Sequence, residues 1–314
     1  MKRISLLIYI CFCCLTNLLA QADISMSTSW YNRSNYNPAS IAKLNYIYFF
    51  SNIREQWNGI AGGPQTINVQ ISGFNYENRS AFGLSLVNDR IGLVESYNPM
   101  LSYAYRISND EEWSLSFGIA GGVFSRVLNT GSFNPENPAD PVLNQDFERL
   151  LKPDANIGIE FQSPHFIAGL STTHLFSIAD IDPYYLISNH RYGYFIFKSS
   201  DSELHNFYAG LQLINRRNIF VGEANVSIRF KDPTGLTTGS RELFEIGFTY
   251  RTTKQFTALF GVNLSPDFKI GYAYNQTFKP GYNKNGSHEI MLEYRIPVKT
   301  AQCPVCNVEN SWYR

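Results

Sequence analysis

Along most of the chain, apolar and polar residues alternate with a period of two. From Ser114 to Val123, Leu115, Phe117, Ile119 and Val123 fall on one face, and Ser114, Ser116, Gly118, Ala120 and Gly122 on the other. Between Leu243 and Arg251, Phe244, Ile246, Phe248 and Tyr250 oppose Glu245, Gly247, Thr249 and Arg251. The last such segment sets Ile290, Leu292, Tyr294 and Ile296 against Glu289, Met291, Glu293 and Arg295. Successive side chains of a strand point to opposite faces, so the pattern predicts strands with one apolar side. A face that carries charge as the last one does needs water or ion partners, which a polar lumen supplies.

Fourteen segments of this kind are predicted, over 43–53, 65–76, 79–89, 96–107, 112–124, 153–162, 165–173, 190–199, 205–214, 218–230, 241–251, 254–263, 267–277 and 286–297. A soluble β-sandwich also alternates, but its strands average about five or six residues. These run to about ten, the length that crosses a bilayer when tilted. An even count is what a single-chain outer-membrane barrel requires. The expected fold is all-β, a transmembrane antiparallel β-barrel of about 14 strands over 43–298.

Connection lengths give a second reading, because such barrels have short periplasmic turns and longer outer loops. With both strand ends inside, the connections at 77–78, 108–111, 163–164, 200–204 and 264–266 are short where shortness is expected. The two longest, 125–152 and 174–189, fall on the outer side. The connections near Arg216–Arg217 and Thr252–Thr253 are shorter than an outer loop should be, and 231–240 is longer than a periplasmic turn.

Outside the barrel, Lys2 and Arg3 precede an apolar run from Ile4 to Leu15, with small residues at Ala20 and Ala22. That is the anatomy of a secretory signal, read here as residues 1–22 with cleavage after 20 or 22. The apolar run is too short to span a bilayer, which takes about 20 residues. Residues 23–42 are polar, rich in Ser and Asn, and read as an N-terminal arm. Residues 299–314 read as a C-terminal periplasmic tail.

Composition fits this picture. Aromatics make up 15% of the 314 residues and charged residues only 17%, against roughly 25% in ordinary soluble domains. Mean hydropathy is −0.20, and no stretch approaches 18 uninterrupted apolar residues, so a bundle of membrane helices is excluded. Basic and acidic residues number 26 each, which leaves no cationic excess for nonspecific nucleic-acid binding. Of five cysteines, Cys11, Cys13 and Cys14 leave with the signal, so disulfides do not hold the fold together.

Candidate chemistry is sparse. The histidines, His165, His174, His190, His205 and His288, form no HExxH or HxH pair, and no GxSxG elbow occurs. No enzyme activity, cofactor or metal is expected. Gly62-Gly63-Pro64 lacks the following helix of a phosphate cradle and reads as a tight loop. Arg54, Gln56 and Trp57 close the first strand, where a barrel needs a girdle aromatic beside polar rim groups. Cys303-Pro304-Val305-Cys306 sits on a tail after a strand, outside the βα context of redox CxxC chemistry. Its readings are a local disulfide between Cys303 and Cys306, a partner-facing structural tail or, least supported, redox or metal chemistry.

Several of these residues, in order, resemble the PorP/SprF membrane proteins of type IX secretion systems. Asn37-Pro38-Ala39 resembles the family's NPA motif. Arg54-x-Gln56-Trp57-x-Gly59, followed by Gly63-Pro64, resembles its RxQWxG…GxP pattern. Asn88-Asp89-Arg90-x-Gly92 resembles a turn signature, and Ser102-Tyr103-Ala104-Tyr105 the strand after it. Gly271-Tyr272-x-Tyr274 and Gly286-Ser287-His288-Glu289-Ile290 resemble the closing GYxY and GSHEI signatures. The CPVC tail lies outside this motif set.

The resemblance implies a non-enzymatic outer-membrane barrel whose partners are the lipid bilayer, type IX secretion components and the C-terminal domain of secreted cargo, such as a large adhesin of gliding motility. It carries no established site residues. Since a closed barrel offers no strand edge, partners are expected at loops, rims or tail. The 125–152 loop is the outer candidate and the arm at 21–42 the periplasmic one. A passive porin or hydrophobic-solute transport barrel is the alternative.

Overall fold

The computed structural model describes residues 26–43, 46–109, 113–128, 150–179, 188–199, 204–216, 219–232, 242–278 and 286–298. The strands are Tyr46–Glu55 (β1), Gln65–Asn75 (β2), Ser80–Ile91 (β3), Val94–Asn109 (β4), Trp113–Leu128 (β5), Leu150–Gln162 (β6) and Phe166–Thr173 (β7). They continue as His190–Lys198 (β8), His205–Arg216 (β9), Ile219–Lys231 (β10), Glu242–Arg251 (β11), Gln255–Ser265 (β12), Phe268–Thr277 (β13) and Ser287–Pro297 (β14). Each pairs antiparallel with its neighbours in sequence, and β1 pairs with β14 from Tyr46↔Pro297 to Glu55↔His288, closing the barrel. No helix is long and apolar enough to cross a membrane among the described residues. Hydrocarbon offers backbone amides no partner, and closure supplies one to every strand.

The fourteen predicted segments are these fourteen strands, with ends displaced by a few residues. The largest extension is at the hairpin of β4 and β5, whose strands are each 16 residues long. The alternating faces fall as expected. On β14, Glu289, Met291, Glu293 and Arg295 point into the lumen and are buried, while Ile290, Leu292, Tyr294 and Ile296 face outward. On β5, Phe117 and Ile119 are outward, and Ser114, Ser116 and Ala120 buried. Outward rings of Trp113, Phe161, Phe166 and Phe195 stack in sequence across β5 to β8, with centroids 5.5–6.2 Å apart. This is the aromatic girdle of a membrane interface.

The barrel has two unlike rims. β1 begins and β14 ends at one, the terminal rim; the β1–β2 and β13–β14 connections lie at the other, the loop rim. Most of the 125–152 loop lies outside the described residues, as do Cys303 and Cys306.

The lipid-facing belt gives a depth-dependent test. Leu211 lies mid-strand in β9 and is 63% exposed; Leu264 is 58% exposed near the end of β12. Leu211→Arg is expected to cost about 2–4 kcal/mol and Leu264→Arg about 0–1, by urea unfolding of barrels refolded into liposomes.

Candidate functional site

The lumen is occupied by the chain's own N-terminal arm. Three short 3₁₀ turns, Ser27–Trp30, Arg33–Asn35 and Pro38–Ile41, run through it. Their sequence favours caps over long helices, because Ser and Asn side chains compete for backbone amides. The Asn32 side chain accepts from Ser34 N at 3.3 Å, and the Asn37 side chain from Ala39 N at 3.0 Å with Pro38 opening the turn. Residues 21–42 read in sequence as a periplasmic partner contact; residues 26–42 are instead drawn inside the barrel. The reason is complementarity, since their polar side chains find the inward polar row of the strands.

The arm is pinned first at Glu289, which is fully buried. Its carboxylate accepts from Ser27 N (2.9 Å), Thr28 N (3.0 Å), Thr28 Oγ1 and Asn52 Nδ2 (2.7 Å), and Arg54 Nη1 lies 3.7 Å away. Asn52 Nδ2 also donates to Thr28 Oγ1. Glu289 belongs to β14, and Asn52 and Arg54 to β1, so this cluster sits on the seam that closes the barrel. Farther along, Asn35 Oδ1 accepts from Asn68 and Gln70, each at 2.6 Å. Arg33 makes a two-pronged bond to Glu160, at 2.8 and 3.2 Å.

The NPA turn is fitted by shape. Asn37 Nδ2 donates to Ile159 O at 3.1 Å and to Tyr194 Oη at 2.8 Å. Gly118 and Gly158 leave the space that it fills. A Cβ at Gly118 would lie 2.2 Å from Ala39 N, and one at Gly158 2.0 Å from Asn37 Oδ1. Tyr36 stacks on Tyr192 at 5.1 Å and meets Tyr194 edge-on at 5.4 Å. Ile41 and Ala42 pack on Ala81 and Ala104, and Arg106 Nη1 donates to Ala42 O at 2.8 Å.

The arm has a direction. Ser27 and Thr28 meet β14 at Glu289, near the loop rim, whereas Lys43 shares a cavity with Glu293 and Arg295, toward the terminal rim. Burial, with Arg33 and Arg295 working against Glu293, lowers the Lys43 ammonium from its ordinary 10.5 to about 8.

The remaining motif residues build the loop rim. Gln56 N donates to Pro64 O at 2.9 Å, Gly92 N to Gly62 O at 3.0 Å, and Asn58 N to Gly286 O at 3.4 Å. Trp57 is exposed and takes a left-handed φ of 56°, as do Gly59 at 85° and Gly62 at 76°. His288 faces outward, with Nδ1 2.6 Å from Tyr272 Oη. Asp89 accepts from Thr66 Oγ1 at 2.6 Å, and Ser287 is buried on the inward face. The motif residues therefore fall at two places: Asn37, Pro38, Arg54, Asp89, Ser287 and Glu289 inside, with Arg54 and Glu289 in contact, and Gln56, Trp57, Gly59, Pro64, Gly286 and His288 at the rim.

A family model described as type IX secretion system membrane protein PorP/SprF matches residues 18–294. The chain belongs to this family. It is an outer-membrane β-barrel of the type IX secretion class. Comparison with curated proteins finds no match. Among solved structures, the chain is similar to the TodX deltaS2S3 mutant monoaromatic hydrocarbon channel, at 8% identity and TM-score 0.49, over 88% of this chain and 95% of that one. It is also similar to Omp33 of Acinetobacter baumannii, at 7% and 0.45, over 81% and 98%. The toluene transporter TodX of Pseudomonas putida gives 9% and 0.44, over 88% and 95%.

In this PorP/SprF barrel, the sequence reading named Glu289 and Asn37 but not their partners Asn52 and Tyr194, nor Asn68, Gln70 and Glu160, which hold Asn35 and Arg33 of the arm. The available signal was the placing of Gly118 and Gly158 at inward positions, which marks space kept for another segment. Among the described residues no cluster of three or more His, Cys, Asp or Glu side chains is placed to hold a metal.

Three outcomes follow from this geometry. Glu289→Ala strands Arg54 and two arm amides, and is expected to cost about 3–5 kcal/mol by urea unfolding, with faster proteolysis of the arm. Gly118→Ala is expected to unseat the Pro38–Ile41 turn and raise single-channel conductance over the parent's. Lys43 carries its charge at a cost below pH 8, relieved between about 8 and 10.5 as the native state sheds its proton first. The parent should therefore gain stability relative to Lys43→Met as pH rises through that window, read as thermal midpoints.

Proposed function

We propose that this barrel aids secretion or surface anchoring of cargo proteins in the type IX system by protein–protein contacts, without catalysing a reaction. The observation that carries the reading is the luminal arm, tied to the wall through its own motif residue Asn37 and held by Glu289, beside which Arg54 stands. Motif residues spent on filling and bracing the barrel point to a rigid platform rather than a reaction centre. Lipid takes the outer face and the arm occupies the lumen, so rims, loops and tail are what remain for other secretion components and a cargo's C-terminal domain. The arm also counts against a passive porin, which needs an aqueous path through the same space.

The test is deletion of the gene, with secreted, surface and periplasmic proteomes compared with the parent. Loss of one or a few large proteins from the surface is the expected outcome. A general secretion block would assign the barrel to the core machinery, and unchanged export would overturn the secretory reading in favour of the porin.

A further inference from the structure

Below the arm, in the terminal half of the lumen, lies a cavity of about 60 Å³. A single water needs about 10–15 Å³ in this measure, so the space admits a polyatomic group. Its walls are rich in donors. Arg33, Lys43, Arg229, Lys269 and Arg295 line it, against the carboxylates of Glu160 and Glu293. Four of those cations are paired: Arg33 with Glu160, Arg229 with Glu242 and Glu245, Lys269 with Glu245, and Arg295 with Glu293.

Two donors on the same walls have no such acceptor. The Tyr31 hydroxyl is buried without a hydrogen-bond partner among the described residues, its ring covered by Lys269 Nζ at 4.5 Å. Lys43 Nζ stands 4.4 Å over the Tyr48 ring, with no carboxylate in ion-pair contact among the described residues. A buried hydroxyl left without an acceptor is costly, and five cations against the carboxylates of Glu160, Glu242, Glu245 and Glu293 leave one positive charge over, which favours an anion over water.

We propose that this cavity binds one oxyanion group, a carboxylate or a phosphate, held by Lys43 and Tyr31 within the field of Arg33, Arg229, Lys269 and Arg295. The ligand enters from the terminal mouth, because Lys43 and Tyr48 stand where the arm passes into β1 and Arg295 stands near the end of β14. The depressed Lys43 ammonium is the expected mark of a site lacking its counter-charge, and the bound anion returns it toward its ordinary value. The site is independent of the secretory reading, and the two can fail separately.

The test is the thermal midpoint of the purified full barrel in detergent, titrated with sodium phosphate or sodium acetate, against sodium chloride at matched ionic strength. A saturable rise with phosphate, with acetate or with both is expected. Phosphate alone identifies a phosphate site, acetate alone a carboxylate site, and both the shared oxyanion chemistry. Lys43→Met should weaken the apparent affinity by about tenfold or more, Tyr31→Phe by less, and Lys43→Arg should retain binding. Each variant is first checked for the heat-dependent gel shift of a closed barrel. A rise that chloride reproduces, or one that Lys43→Met leaves unchanged while still closing, would overturn the site.

Discussion

Hydrocarbon leaves no backbone amide a partner outside the protein, so a sheet that crosses it has to close on itself. In this chain closure rests on the pairing of β1 with β14. Closing a ring of this size also encloses an inward polar row on every strand, and that row has to be satisfied or wetted. The arm answers the second demand by the means that answers the first. Glu289 from one seam strand, and Asn52 and Arg54 from the other, meet on Ser27 and Thr28. Lipid-side closure and lumen-side filling are thus joined at one buried carboxylate.

The interior is charged as well as polar, and its charges come in sets rather than isolated pairs. Trp30 Nε1 and Arg251 both donate to Glu223, while Arg229 and Lys269 share Glu245. Buried pairs of this kind add little net stability over an apolar core, but breaking one strands its partner. They specify position: an arm displaced by one residue loses its carboxylates and meets the wrong strands. The glycines act alike, since Gly118 and Gly158 admit the NPA turn at one place only.

The barrel was legible in the sequence because lipid and lumen impose opposite chemistry on alternate residues, and that contrast survives in every strand, from Phe82 and Leu84 to Ile290 and Leu292. The arm was not. Its partners, among them Asn68, Gln70 and Glu160, read only as members of a polar face, and the fit between two polar surfaces leaves no period behind. Tyr31, Tyr36 and Ile41 are buried within a Ser- and Asn-rich stretch, and nothing in their spacing says which surface they meet. The motif residues were readable as a set, whereas their meeting on one seam follows from closure, which brings Arg54 and Glu289 together across more than two hundred residues.

The direction of the arm has a topological consequence. An even number of strands returns the chain to the side on which it began, and here β1 starts and β14 ends at the same rim. The arm adds one further passage through the wall's height, from Thr28 beside Glu289 down to Lys43 beside Glu293 and Arg295. Parity is thereby reversed: the described chain begins in one half of the barrel and ends in the other. Strand number alone therefore misplaces the start of the described chain, and Ser27 and Pro297 lie toward opposite mouths.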